Sequence, residues 1–148
     1  MSVIILDTGP LGLVTNPKQS GENLACYQWL EGLIAAERRV ILPEIADYEI
    51  RRELLRAGKI RGLRRLDVII STLEYLPITT AAMRLAADFW AQARRIGQPT
   101  APNEALDGDV ILAAQAVTLG APDVVVVTTN VGHLSRFVAA KTWHEIDI

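Results

Sequence analysis

The sequence predicts a three-layer α/β/α fold with a central, mostly parallel sheet. Residues 3–6, 39–42 and 124–127 are short apolar segments of the kind that form buried strands, and the last of them is four consecutive valines. Segments with helical spacing of apolar residues separate them. Strands that alternate with helices form parallel sheets covered by helices on both faces.

The composition predicts one folded domain over residues 1–148. Half of the residues are hydrophobic and 22% are charged, which is typical of a globular chain of this length. No apolar run reaches the roughly 18 residues of a membrane helix. The N-terminal MSVIILDTGP has no basic leader and reaches Asp7 too early for a signal peptide. The single cysteine, Cys26, fits a reducing compartment, so we expect a cytoplasmic protein.

The charge balance excludes one class of nucleic-acid-binding protein. The net charge is −2 and the pI about 5.7, whereas a module that binds phosphates passively is usually basic. A nuclease stays possible, because a site for divalent cations needs clustered carboxylates. Residues 51–65 form a local basic segment with Glu53 as its one acid. This segment could guide an RNA strand, dock an acidic partner or be a solvated helix pair.

The remaining elements follow from helical periodicity and from glycine and proline positions. We predict a turn at residues 7–10, a polar loop at 16–23 and helices over residues 24–36, 44–57 and 60–72. Residues 73–78 hold a short strand. Thr79 and Thr80 are suited to cap a helix that runs through residue 96 and ends at Gly97. Residues 98–105 are predicted to be a loop, and Asp107 to begin a helix through residue 118.

Polar residues follow the first and last predicted strands, at the edge where α/β proteins bind ligands. Asp7 comes directly after the first strand, where it either reaches a ligand or forms an Asx-turn before Gly9. Thr128, Thr129 and Asn130 follow the last strand. Their hydroxyl and amide groups either position a water or a carboxylate, or form the turn.

Three further acids are candidates for the same edge. Glu49 borders the apolar stripe of its helix, and the alternative is a surface ion pair with Arg52. Asp107 is placed to be the N-cap of the apolar helix that follows it. Asp109 lies in the first turn of that helix, where it either interacts with the helix dipole or ligates a metal. Together with Asp7 these acids fit metal-assisted phosphodiester hydrolysis.

The other chemically capable residues are predicted to be structural. His133 has no second histidine within helical reach, so a zinc site is not expected. His144 receives no role, and Cys26 is expected to pack on a helix face. Asp47 is expected to be solvated. The tryptophans are expected in the core: Trp29, Trp90 and Trp143.

Four blocks of the sequence resemble the PIN domain, in particular bacterial toxins of the VapC type. They are, in order, ILDTGPL, PEIADYEIRREL, LDGDVILAAQA and VVVVTTNVGHL. The resemblance spans essentially the whole chain in the right order and spacing. Each block alone is a weak indication of the family, whereas the four blocks in this order are specific for it.

The resemblance implies an Mg²⁺- or Mn²⁺-dependent ribonuclease that is commonly a homodimer and is inhibited by a cognate antitoxin. The implied catalytic residues are Asp7, Glu49, Asp109 and Asn130, and Asp107 joins the three acids as a metal ligand or merely caps its helix. Substrate RNA is expected to contact Thr8, Arg51, Arg52 and Thr128. The family often has an aspartate where this chain has Asn130, which puts a second metal position in doubt.

Two other classes of protein are weighed against the nuclease. One is a PIN-like or Rossmann-like interaction domain that keeps the fold without the reaction, which Asn130 favours and the three acids disfavour. The other is a phosphoryl-transfer domain of the receiver or haloacid-dehalogenase kind. Receivers need an acidic pair near the first strand, and dehalogenases need an aspartate where this chain has Gly9. Dinucleotide binding is not expected, since no G-x-G-x-x-G motif follows the first strand.

Overall fold

A five-stranded parallel sheet forms the centre of the computed structural model, which describes residues 1–97 and 107–148. The strands are β1 (Val3–Leu6), β2 (Val40–Pro43), β3 (Glu74–Leu76), β4 (Val124–Val127) and β5 (Ala140–Lys141). Their order in the sheet is β3-β2-β1-β4-β5, and every neighbouring pair is parallel. The predicted fold class is confirmed.

Helices connect the strands and cover both faces of the sheet. In chain order they are α1 (Thr8–Thr15), α2 (Gly21–Ala35), α3 (Glu44–Arg56), α4 (Ile60–Thr72), α5 (Thr80–Arg95), α6 (Gly108–Thr118) and α7 (Val131–Leu134). A 3₁₀ turn, Trp143–Glu145, follows β5.

Successive side chains of each strand enter two different cores. Ile4 and Leu6 of β1 join the core shared with α1, α2 and α4, whereas Ile5 joins the core shared with α5 and α6. Both faces of the central strands are therefore buried, which explains why their sequences are continuous apolar runs. Helix α6 is buried from Val110 to Ala116, as its apolar sequence predicts.

The structure corrects the predicted start of the chain. Residues 7–10 are not a turn, because α1 begins at Thr8 directly after β1 and Asp7. Pro10 is compatible with this helix since the first turn needs no backbone N–H donor. The predicted loop at residues 16–23 is also too long, because α2 already begins at Gly21. The second strand is shifted by one residue and includes Pro43.

Other predictions have mixed outcomes. Helix α4 has the predicted bounds, and Thr79 caps α5 through a hydrogen bond from the Ala82 N–H. Cys26 is fully buried, as expected.

The expectation of a solvated Asp47 is wrong, since it accepts a hydrogen bond from the Tyr75 hydroxyl at 2.8 Å and pairs with Arg51. The sequence reading missed β5 and α7, which are too short to show a period. The predicted loop at residues 98–105 lies outside the described residues.

The tryptophans predicted for the core differ in burial. Trp29 is buried, whereas Trp90 and Trp143 are half-buried and pack against the two cores from outside. None of the helices in the described part of the chain has both the length and the apolar character needed to cross a membrane.

Gln115 of α6 is a buried polar residue that ties two other elements to this helix. Its Nε2 donates to the Leu76 carbonyl at 2.9 Å, and its Oε1 accepts from the backbone N–H of Ile45 at 3.3 Å. The Ile45 N–H lies in the first turn of α3 and has no partner within its own helix. The amide therefore satisfies buried groups on both β3 and α3.

Substitution Gln115→Met is expected to lower the free energy of unfolding by about 2–4 kcal/mol, because it leaves buried donor and acceptor groups unsatisfied. Urea denaturation measures this change. Val117→Ala, an exposed position on the same helix, is the control and is expected to change the free energy by about 0.5 kcal/mol or less. Equal unfolding midpoints for the two variants would contradict the prediction.

Candidate active site

The sheet order places a crevice beside the end of β1. The chain passes from β1 to β2 on one side, and the later strand β4 pairs with β1 on the other side. Ligands of open α/β sheets bind in the crevice outside the carboxyl ends of strands at such a switch point. Asp7 follows β1 and Thr128 follows β4, so both lie at this crevice.

Asp7 is held by hydrogen bonds on both carboxylate oxygens. Its Oδ1 accepts from the Thr8 N–H at 2.7 Å, which makes Asp7 the N-cap of α1. Its Oδ2 accepts from the Thr128 hydroxyl at 2.7 Å. The residue is 6% exposed. Asp7 is therefore both a capping residue and a carboxylate held in a fixed orientation at the crevice.

Glu49 reaches this edge from α3 and packs against the start of α6. A Cβ atom added to Gly108 would lie 2.5 Å from Oε2 of Glu49, so a larger residue there would require the Glu49 carboxylate to shift. The guanidinium of Arg52 lies 3.9 Å from the same oxygen. The predicted ion pair is thus present, but at a long distance, and the Glu49 side chain is 26% exposed.

Asp107 lies at the N-cap position of α6, as predicted, but its side chain makes no capping hydrogen bond. It is 4% exposed, and its Oδ2 lies 3.9 Å from Nη1 of Arg94. The guanidinium of Arg94 stacks 4.0 Å from the ring centroid of Trp90. The buried Asp107 carboxylate therefore lies beside a cation from α5 that is itself held by an aromatic ring.

Asp109 lies in the first turn of α6, and its Oδ2 is 3.4 Å from Nδ1 of His133. Burial raises the pKa of Asp109, and the charges of Asp7 and Asp107 raise it further, while His133 acts in the opposite direction. Asp109 is thus within electrostatic reach of two other carboxylates.

The pKa of Glu49 is raised to about 7. Burial is the largest cause, followed by the negative charge of Asp7, with smaller contributions from Asp109 and Asp107, while Arg52 opposes the rise. These shifts define an acidic cluster of four residues whose carboxylates repel one another: Asp7, Glu49, Asp107 and Asp109.

The donor chemistry of the acidic cluster fits a hard divalent cation, because carboxylate oxygens are the ligands that Mg²⁺ and Mn²⁺ prefer. The side chains are not arranged as a finished coordination sphere. Within residues 1–97 and 107–148, no three histidine, cysteine, aspartate or glutamate side chains are placed so that they could hold a metal ion together. The fit rests on residue type and on charge.

Comparisons with known proteins identify the fold. No protein-family model matches the sequence, and no curated protein matches it. Solved structures do match. VapBC2 from Rickettsia felis bound to a promoter DNA fragment is 19% identical, with a TM-score of 0.74 over 95% of this chain and 98% of that chain. DNA-bound VapBC from Salmonella typhimurium is 26% identical, with a TM-score of 0.67 over 97% and 99%.

A third match, FitAcB from Neisseria gonorrhoeae, is 21% identical, with a TM-score of 0.66 over 97% of this chain and all of that chain. The chain has a PIN-like fold. The resemblance to VapC-type proteins that the sequence indicates is confirmed at the level of the fold.

The PIN-like fold places the other predicted site residues at different distances from the acidic cluster. Thr8 and Thr128 contact Asp7 directly. Asn130 is exposed, and its backbone N–H donates to the Thr128 hydroxyl at 2.9 Å. Arg52 contacts Glu49, but Arg51 forms ion pairs with two acids outside the cluster, Asp47 and Asp67.

Sequence reasoning missed three residues of the PIN-like fold that contact the acidic cluster. Gly108 had a visible signal, since a glycine between two aspartates at a helix start suggests close approach. His133 also had one, because it follows Asn130 by three residues and so stays near the same edge. Arg94 had none, because its contact with Asp107 depends on how α5 packs on α6.

Because of Glu49, the free energy of unfolding is expected to fall as pH rises. Its pKa is about 7 in the folded chain, against an ordinary 4.5, so between these values the folded state binds more protons than the unfolded state. The stabilisation is fully present below the lower value and is lost as pH rises through about 7. Glu49→Gln removes this loss, so urea midpoints measured in EDTA should differ less between about pH 5 and about pH 8 than in the wild type.

Glu53→Gln is the matched control, four residues along the same helix. Arg56 lowers the pKa of Glu53 through a hydrogen bond, so this substitution is not expected to reduce the loss at high pH. A Glu49→Gln variant with the pH dependence of the wild type would contradict the raised pKa assigned to Glu49.

Proposed function

We propose that this protein is a divalent-metal-dependent endoribonuclease and the toxin of a toxin–antitoxin pair. One observation supports the proposal most strongly. Four carboxylates from three separate segments of the chain gather at the switch-point edge of a PIN-like fold, where burial and then the charges of the other acids raise the pKa of Glu49 and of Asp109.

Such a cluster costs stability unless a cation balances it. Two of its members, Asp7 and Asp107, are almost completely buried, and burial makes like-charge repulsion stronger. A bound Mg²⁺ or Mn²⁺ ion would balance this charge, neutralise phosphate oxygens and lower the pKa of a water molecule. Asp7, Glu49, Asp109 and Asp107 are the residues proposed to hold it.

The residues of the chain have distinct proposed roles. Asp7 is the most firmly oriented ligand, because the Thr8 N–H and the Thr128 hydroxyl fix its two oxygens. Glu49 reaches the same edge from α3 and is 26% exposed, so it can bind the ion or accept a proton from an attacking water. Asn130 has an exposed amide beyond β4 that can orient water or a phosphate oxygen.

RNA is proposed to approach along the side of α3. Arg52 lies beside Glu49 and is half-exposed, so it can reach a phosphate next to the acidic cluster. Arg51 is less available than the sequence suggested, because Asp47 and Asp67 already neutralise it. Exposed Lys59, Arg61 and Arg64 continue the basic surface toward α4.

The partner proposal depends on the structural matches. Two of them are VapBC proteins solved together with DNA, which supports a cognate antitoxin for this chain. The homodimer stays a prediction from the family resemblance. The cytoplasm stays a prediction from the single cysteine, Cys26. Co-purification with the product of the neighbouring reading frame, and loss of ribonuclease activity in that complex, are the expected results.

The second candidate function is a PIN-like interaction domain without catalysis. Asn130 in place of an acid favours it, as does the lack of a finished three-ligand arrangement in the described residues. An interaction domain needs no charged cluster, however, so substitutions of the four acids would leave its function intact.

Purified protein is expected to cleave RNA with Mg²⁺ or Mn²⁺ and to stop when EDTA is added. Asp7→Asn and Asp109→Asn are each expected to lower the rate by about 100-fold or more, because each removes a proposed ligand. Asp123→Asn is the matched control, since Asp123 is exposed and precedes β4, at the edge of the sheet opposite to the acidic cluster. It should cleave at the wild-type rate.

Expression in a bacterial host separates the two candidate functions without knowledge of the RNA target. The wild type is expected to arrest growth, and Asp7→Asn is expected to relieve the arrest at equal protein level. If the wild type and Asp7→Asn behave alike both in growth and in RNA cleavage, the nuclease proposal is wrong.

A further inference from the structure

One side chain outside the acidic cluster contacts it from the connection after β4. Nδ1 of His133 lies 3.4 Å from Oδ2 of Asp109, and the Asp109 side chain is 20% exposed. The other histidine, His144, lies on the surface with its Nε2 3.1 Å from Glu22, which is not a member of the acidic cluster. His133 is therefore the histidine of the described chain that reaches the cluster.

The backbone around His133 is held in place at several points. The N–H groups of His133 and Leu134 both donate to the Asn130 carbonyl at 3.1 Å, and the Leu134 side chain is fully buried. The Asn130 N–H in turn donates to the Thr128 hydroxyl. The imidazole is thus attached to an anchored turn rather than to a free loop.

The same short segment contacts two different members of the acidic cluster. Thr128, at its start, donates to Oδ2 of Asp7 at 2.7 Å. His133, five residues later, faces Oδ2 of Asp109. Residues 128–133 therefore connect a carboxylate at the end of β1 with one at the start of α6.

We propose that His133 is a positioning residue for Asp109: its Nδ1–H donates to Oδ2 and holds the carboxylate in one orientation for metal binding. This inference rests on the proposed function. A carboxylate rotates about its last side-chain bond, and a donor on one of its oxygens restricts that rotation. Histidine supplies that donor without adding negative charge, so it offsets part of the repulsion from Asp7 and Asp107.

Metal titration of the full-length protein tests the proposal independently of RNA cleavage. His133→Ala is expected to weaken Mn²⁺ binding by about 10–100-fold in calorimetry, the usual effect of removing a partner that orients a metal ligand. His133→Asn is expected to restore most of the affinity, because its Nδ2 occupies nearly the position of the imidazole Nδ1. His133→Gln extends the amide to the wrong point and should not restore it.

His144→Ala is the matched control, since His144 also lies beside a carboxylate, 3.1 Å from Glu22, on the surface. It is expected to bind Mn²⁺ like the wild type. Thermal unfolding of each variant checks that the fold is intact. If His133→Ala does not fold, the Mn²⁺ affinities of His133→Asn and His133→Gln test the proposal: it requires that the Asn variant bind more tightly than the Gln variant.

Nuclear magnetic resonance of the wild type gives a second test without metal. Long-range ¹H–¹⁵N spectra should show a proton on Nδ1 of His133, and Asp109→Asn should shift that signal. A proton on Nε2 alone would overturn the proposal, because Nδ1 could not donate. Equal losses of Mn²⁺ affinity in His133→Ala and His133→Asn would also overturn it, since the ring itself would then contact the ion.

The two proposals fail in different ways. A wild type that binds Mn²⁺ but cleaves no RNA contradicts the proposed function and leaves the role of His133 to the metal titration. A wild type that cleaves RNA, with Mn²⁺ affinity unchanged in His133→Ala, contradicts the role of His133 alone.

Discussion

The two hydrogen bonds on the Asp7 carboxylate join the parts of the molecule on which the site depends. One comes from the first N–H of α1 and the other from the Thr128 hydroxyl after β4. The parallel register pairs Leu6 with Val127, so the residues that follow the two strands must lie side by side. The next residue along each segment is also close to its neighbour: a Cβ atom added to Gly9 would lie 2.7 Å from Cγ2 of Thr129, so glycine lets the start of α1 pack against the residues after β4. Sheet register therefore positions Asp7.

The other carboxylates belong to helices that pack on the sheet, so their backbones hold them at the same edge as Asp7. Asp107 and Asp109 begin α6, whose side chains from Val110 to Ala116 are enclosed by the sheet and α5. Glu49 is pressed against the start of that helix at Gly108. The packing of the core thus keeps these acids close together, and burial followed by the charge of Asp7 raises the pKa of Glu49. This is the usual relation between a rigid scaffold and a functional site under strain.

The sequence predicted what depends on local pattern and on the general rule about strand ends. Helix α4 and strand β4 were predicted with their bounds, and Asp7 was placed at the correct edge from its position after a strand alone. Contacts between distant segments were not predictable in this way. The hydrogen bond from Tyr75 to Asp47 and the contact of Arg94 with Asp107 depend on which helix packs beside which strand. The spacing of apolar residues in the sequence predicts which face of a helix is buried, but not which other element packs against that face.

In the connection from β4 to α7, this chain has Asn130 where VapC-type proteins often have an aspartate, and this difference changes the charge at the edge of the sheet. An acid at this position would add another negative charge to an edge where Glu49 and Asp109 already have raised pKa values. Instead, the Thr128 hydroxyl donates a hydrogen bond to Asp7, and the His133 imidazole lies 3.4 Å from Oδ2 of Asp109. Donors orient carboxylates and reduce their repulsion, whereas a further acid would demand more cationic charge. The segment after β4 therefore adds no negative charge to the acidic cluster.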